Sequence, residues 1–266
     1  MGAGGGLRSR LDRVGVWLGV VGLVLLAVPV VVLVVRHHDG GGAGAGESVR
    51  VTLVSPKLGP GGTYAVPGSS VRVREHEWVV AGDSPARLPY LSVSGLASEA
   101  MDASVSANLK KYATDVVGKG SERSRWKGTL SVVGVNADLL SMSFVYWNEL
   151  SADGFPFSVT DNIDLRSGES TLMTSAQTEA ERLRTGEILR AHAPSDFCGT
   201  LPSAKVLADD LENEYFVLFS HSSVEFYVPT IGLDGAVACG VRTIDVPYDE
   251  MGGSLPPDIK DLLAGV

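Results

Sequence analysis

Five histidines, two cysteines and several closely spaced carboxylates are the groups in this 266-residue chain best suited to chemistry. His37 and His38 stand side by side next to Asp39, and adjacent imidazoles can bind a metal; the expectation is a solvated pair. His76 alternates with charged residues and is expected to face water, His192 falls near a helix C-terminus, and His221 falls at a hairpin tip. No Gly-x-Ser-x-Gly elbow surrounds any serine, including Ser222 beside His221. Asp161 with Asp164, and Asp209 with Asp210, have spacings usable for acid–base work in a cleft, but surface solvation is the expectation. The stretch Asp161 to Glu169 lacks calcium-loop spacing, and the Gly2–Gly6 run follows no strand, so no cofactor loop is assigned. The chain therefore reads as a non-enzyme with no catalytic residue, metal or cofactor. Its best contact residues are Trp147, Glu149, Asp153 and Phe155. Together with Phe157 they put aromatic anchors and charge on one loop at a sheet edge.

A segment from Val14 to Val35 runs 22 residues without a charge. As a helix it spans about 33 Å, enough to cross a hydrocarbon core, and no small-residue cleavage site closes it as in a signal peptide. Arg8, Arg10 and Arg13 precede it and Arg36 alone follows closely, which places the N-terminus in the cytoplasm and residues 36–266 outside. Only 13 residues stand before the segment, too few for a folded domain. Four of the 22 basic and two of the 31 acidic residues lie at or before residue 39; the remaining 18 and 29 give a net charge of −11. That balance argues against nucleic acid or anionic lipid as partner. Arginine over lysine and valine over isoleucine suggest a GC-rich bacterial genome. Outside the cell, Cys198 and Cys239 read as one disulfide. Closing a loop of about 42 residues, it would stabilise the fold by up to about 4 kcal/mol.

These groups need elements to hold them. Residues 36–69 form a Gly-rich tether, Gly40 to Gly46, and an irregular lead-in, so the folded domain is taken as 70–266. From Ser70, Val71, Val73, Glu75 and Glu77 alternate with Arg72, Arg74 and His76 as on a strand. Met101, Val105, Leu109, Tyr112 and Val116 form one apolar stripe on a helix over 95–118. Strands are predicted at 127–135 and 139–147, joined by the turn Asn136-Ala137-Asp138, and Phe157, Val159, Asp161, Ile163 and Leu165 alternate into the turn Arg166 to Glu169. Thr178 and Glu181 have capping-box spacing for a helix over 176–192. Strands at 215–220, 224–228 and Val241–Val246 follow, and Pro256-Pro257 starts a last short helix. The fold class is α+β, antiparallel sheet with a few helices on one face, as one large domain or two small lobes, preceded by a single transmembrane helix.

Leu88-Pro89-Tyr90-Leu91-Ser92-Val93-Ser94-Gly95-Leu96, then a helix with Asn108, and Asn162-Ile163-Asp164-Leu165-Arg166-Ser167-Gly168-Glu169 resemble stretches of a known bacterial family. So do Tyr215 to Leu218 with Val224 to Pro229, and Ile244 to Met251. The family is the extracytoplasmic region of RsiV-type anti-sigma factors, also found as an accessory domain in some polysaccharide deacetylases. The resemblance spans about residues 70–263. Two features differ: the family's Gly-Gly-Ala-His stretch is replaced by Trp147 to Phe155, and the segment before the apolar run is short. The resemblance implies a membrane-anchored sensor that binds a lysozyme-like protein or a peptidoglycan fragment at the cell envelope. The alternative it implies is an anti-sigma-like regulator relaying envelope stress through its membrane helix. Shedding is implied as well, with Ala43-Gly44-Ala45 as the small-x-small tripeptide near the membrane.

Overall fold

A computed structural model describes residues 48–80, 86–118, 126–148, 157–171, 173, 177–195, 202–211, 216–229 and 241–265. The segment 14–35 lies outside them. Among the described residues no helix is long and apolar enough to cross a membrane.

The first sheet has the order β1 (Thr63–Ala65), β2 (Arg72–Val80), β3 (Ala86–Ser94), all antiparallel. Alternation along β2 sends Val73 and Glu75 inward and Arg72 and Arg74 outward. Pro89, which has no N–H to give a ladder, is tolerated inside β3 opposite Glu77. Gly95 then turns the chain at φ 83°, where a Cβ would lie 2.0 Å from the Ser70 carbonyl oxygen. Both oxygens of the Asp102 carboxylate accept backbone N–H groups there, from Gly95 at 3.0 Å and Leu96 at 2.9 Å. That contact folds the entry to α1 (Glu99–Gly118) back on its own first turn. The first four residues of the apolar stripe are borne out: Val105 and Leu109 are buried, with Met101 and Tyr112 at the margin, while the Val116 side chain lies outside what is described.

The central sheet, β4 (Trp126–Val135), β5 (Leu139–Asn148), β6 (Phe157–Asp164) and β7 (Glu169–Ser170), is antiparallel throughout. Its first hairpin is built by Asn136, whose side-chain oxygen accepts N–H bonds from Asp138 at 2.8 Å and Leu139 at 2.7 Å. Leu140, Met142, Phe144 and Tyr146 pack with α1 and the first sheet in one core. The Tyr146 hydroxyl donates to the Pro89 carbonyl at 3.0 Å and ties the two sheets.

The third sheet is β8 (Phe216–Phe219), β9 (Ser223–Pro229) and β10 (Val241–Pro247), in order 10-9-8. Polar side chains of the central sheet receive β8: Ser141 accepts the Phe219 N–H at 2.9 Å, and Asn162 donates to the Val217 carbonyl at 2.6 Å. A bulge at Val132/Gly134 brings β4 so close that a Cβ on Gly134 would lie 2.3 Å from the Phe219 carbonyl oxygen. Around the third sheet a second core collects α2 (Glu179–His192), α3 (Ala204–Asp210), α4 (Tyr248–Met251) and α5 (Pro257–Ala264). The Thr178–Glu181 capping box is present with both reciprocal bonds. The architecture is α+β, antiparallel sheets with a few helices.

Five elements were not anticipated from residue patterns: β1, β3, β7, α3 and α4. β1 lies in the expected irregular lead-in, which also buries Leu53 and pairs Val54 with Val135. Thr52 donates its N–H to Leu263 at 2.9 Å, so the lead-in is fastened to the last helix.

Candidate functional site

A cleft of about 330 Å³ opens between α1 and the β6–β7 turn. Its floor is apolar, from Val105 and Ile163. The helix wall brings Asn108, Lys111 and Tyr112, and the sheet wall brings Asp161, Glu169 and Ser170. Two local devices set this geometry. Helical spacing of four puts Asn108 and Tyr112 on one face of α1. The turn after β6 reverses because Asp164 accepts the Arg166 N–H at 2.8 Å and Gly168 adopts φ 76°, which lays Glu169 and Ser170 against the helix. A Cβ on Gly168 would come within 3.0 Å of the Val105 side chain, so the turn and the helix are in close contact.

Asp161 sits at a core-facing position of β6, between Val159 and Ile163, and is half-buried. Its Oδ2 accepts a hydrogen bond from the Tyr112 hydroxyl at 2.5 Å and another from Ser170 Oγ at 3.0 Å. Burial holds the Asp161 carboxyl above the ordinary carboxylate range, and the Tyr112 and Ser170 donors pull it part of the way back. Burial, followed by the bond to Asp161, pushes the Tyr112 phenol upward too, so it keeps its proton and donates. Among the described residues no side chain donates to Asp161 Oδ1, and the exposed Asn108 amide makes no hydrogen bond. The cleft thus offers an unspent Asn108 amide and a half-buried carboxylate, bonded by Tyr112, Ser170 and the Asn162 backbone, above an apolar floor. Such a combination of groups is chemically suited to orienting a small polar ligand.

Of the sequence-predicted contact residues, Trp147 is half-buried near the end of β5, paired with Lys127. Glu149, Asp153 and Phe155 lie outside the described residues, as do Cys198, Cys239, His37 and His38. His76 does not simply face water: it stacks on Tyr90 at 5.0 Å and 17°, with Nε2 2.7 Å from Ser92 Oγ. His192 ends α2 and pairs with Glu250 at 2.7 Å. His221 follows β8 in its hairpin with β9, 3.3 Å from Ser55 Oγ. Asp164 pairs with Arg166 at 3.2 Å and Asp209 with Lys205 at 3.4 Å, both near the surface. Asp161 departs from the expected surface solvation. The alternation Phe157, Val159, Asp161, Ile163, Leu165 already placed a carboxylate on the apolar parity, and the tyrosine in the α1 stripe carried the only hydroxyl able to meet it from that stripe.

No protein-family model and no curated protein matches the chain. Among solved structures, the fold is similar to a DUF3298 family member from Bacteroides fragilis, at 13% identity and a TM-score of 0.47 over 73% of this chain and 98% of that one. It is similar as well to a DUF3298 family protein from Pseudomonas aeruginosa, at 11% identity and a TM-score of 0.40, over 81% and 98%.

Proposed function

We propose that this chain is a membrane-anchored, single-pass binding protein of the bacterial envelope, with its N-terminus in the cytoplasm and a non-enzymatic extracytoplasmic domain. The anchor is the uncharged Val14–Val35 segment. The observation that carries the binding reading is the α1/β6–β7 cleft, where Asn108, Asp161 Oδ1, Lys111 and Glu169 surround an apolar floor. Of the two ligands that the RsiV-like resemblance implies, a lysozyme-like protein and a peptidoglycan fragment, the cleft favours the fragment. Alternating hydroxyl, amide and charged groups on an amino-sugar peptide need mixed donors and acceptors close to a small apolar surface.

The test is calorimetry of the full chain in detergent micelles against soluble peptidoglycan fragments and, separately, lysozyme. Saturable fragment binding weakened about tenfold or more by Asn108→Ala with Asp161→Asn supports the cleft. Binding lost instead in Trp147→Ala with Asp153→Ala moves the site to the 147–157 loop. Absence of heat with both ligands, from folded protein, refutes the proposal.

A further inference from the structure

The charge pattern along β2 points to a second binding surface, independent of the cleft. Strand parity sends Arg72, Arg74 and His76 to one face of the first sheet. Every cross-strand neighbour on that face is uncharged: Thr63 and Ser92 flank Arg74, Ala65 and Ser94 flank Arg72, and Tyr90 lies opposite His76. The acidic residues of the strand are on the other parity, where Glu77 binds Arg87 at 3.1 Å and Glu75 is buried. From the neighbouring helix, Lys110 extends the row, with its Nζ 5.5 Å from the Tyr90 ring centroid. Burial, then Arg74 and Lys110, lower the His76 pKa, which places both cations within electrostatic reach of that ring.

None of these three cations has a carboxylate partner among the described residues. Elsewhere Arg87, Lys111, Arg166 and Lys205 each hold one. In a chain of net charge −9, a face with cations and no acid is a local reversal of sign. Long-range repulsion from the rest of the domain is screened beyond about 8 Å at physiological salt, so at contact the local row decides. Alternate residues on an antiparallel strand stand about 7 Å apart, so Arg72 and Arg74 present guanidinium forks at that interval.

We propose that the outer face of the β1–β2–β3 sheet binds a linear polyanion carrying one negative group about every 7 Å, held by Arg72, Arg74 and Lys110. The stacked His76–Tyr90 pair and the Ser92 hydroxyl form the platform between the second arginine and the lysine.

The probe is a fluorescein-labelled glycerol-phosphate hexamer, titrated by anisotropy with the full chain in a zwitterionic-lipid nanodisc. Three released counterions give a slope of log K against log salt of about −2, or roughly a 20-fold loss of affinity from 50 to 200 mM salt. Arg72→Gln with Arg74→Gln, exposed positions that leave the fold intact by circular dichroism, should bring the slope to about −0.7 and weaken binding at low salt by about tenfold or more. Arg87→Gln, on the opposite parity, should change neither. The proposal is overturned if the double variant binds with unchanged affinity and slope. It is equally overturned if glycerol phosphate monomer competes as well as the hexamer, which marks an adventitious ion only, or if phosphatidylglycerol vesicles bind and the hexamer does not.

Discussion

Replacing Tyr112 by phenylalanine removes one oxygen and tests the chemistry of the cleft directly. The ring keeps its contact with Phe144, 5.7 Å between centroids, so the lost interaction is the 2.5 Å bond to Asp161. A hydroxyl donating to an ionised, half-buried carboxylate contributes about 2 kcal/mol, and to a protonated one about 1 kcal/mol. The difference sets a pH dependence. Asp161 has a folded pKa raised above its unfolded value, so its stabilising contribution is complete below the unfolded pKa and is lost as pH rises through the folded one. Tyr112 is one of the donors holding that pKa down; without it the pKa rises further and the loss grows at neutral pH. Urea unfolding of the two proteins, followed by tryptophan fluorescence, should give a destabilisation of about 1 kcal/mol near pH 3.5 and about 2 kcal/mol near pH 7.5. Equal destabilisation at both pH values refutes the reasoning. So does a double-mutant cycle with Asp161→Asn whose coupling is below about 0.5 kcal/mol.

Four other perturbations probe the frame around the site. Asn136→Ala strips the β4–β5 turn of its acceptor and frees bonds to Thr52, Leu262 and Leu263; a loss of about 3 kcal/mol is expected in urea titrations, with faster hydrogen exchange at Thr52. Gly186→Ala places a Cβ 2.1 Å from the Ala204 carbonyl oxygen between α2 and α3; a drop in melting temperature matching about 2 kcal/mol or more checks it. Thr178→Ala removes the N-cap of α2 and should cost about 1 kcal/mol by urea unfolding, while Thr178→Ser should restore most of it. Glu75→Gln should raise the melting temperature at neutral pH and leave it unchanged well below the unfolded carboxylate pKa. Burial, then Glu77, raises the Glu75 pKa, so its ionisation opposes folding only as pH climbs; a scan at two pH values decides.

Much of this fold was legible because its strands and helices obey their periods. β4, β5 and the Asn136 turn fall where alternation and turn chemistry put them, and the α2 cap follows from two residues three apart. What escaped has identifiable reasons. β3 contains Pro89, a residue that argues against a strand, and it is accommodated because β3 ends the β1-β2-β3 order, where a missing ladder N–H is tolerated. α3 is seven residues with no stripe of its own, and its place is decided by the contact with Gly186. The cleft was half visible. Asp161 and Tyr112 lay on apolar parities of a strand and a helix, which marked both as polar groups turned inward. That they meet depends on α1 crossing the central sheet at that strand, a tertiary fact no local period encodes.

The bonds among Thr52, Asn136 and the last helix carry a mechanical consequence. Thr52 hydroxyl and N–H both reach the Leu263 carbonyl, and the Asn136 amide joins Leu262 and Leu263 to the turn of the central sheet. The lead-in, the β4–β5 turn and the last helix therefore meet at one place. Tension on the preceding residues is delivered to α5 and the β4–β5 hairpin at one knot, where exposed Thr52 meets buried Asn136. Such an anchorage loads both elements at once, so a pull strong enough to open it would release the lead-in and the last helix together.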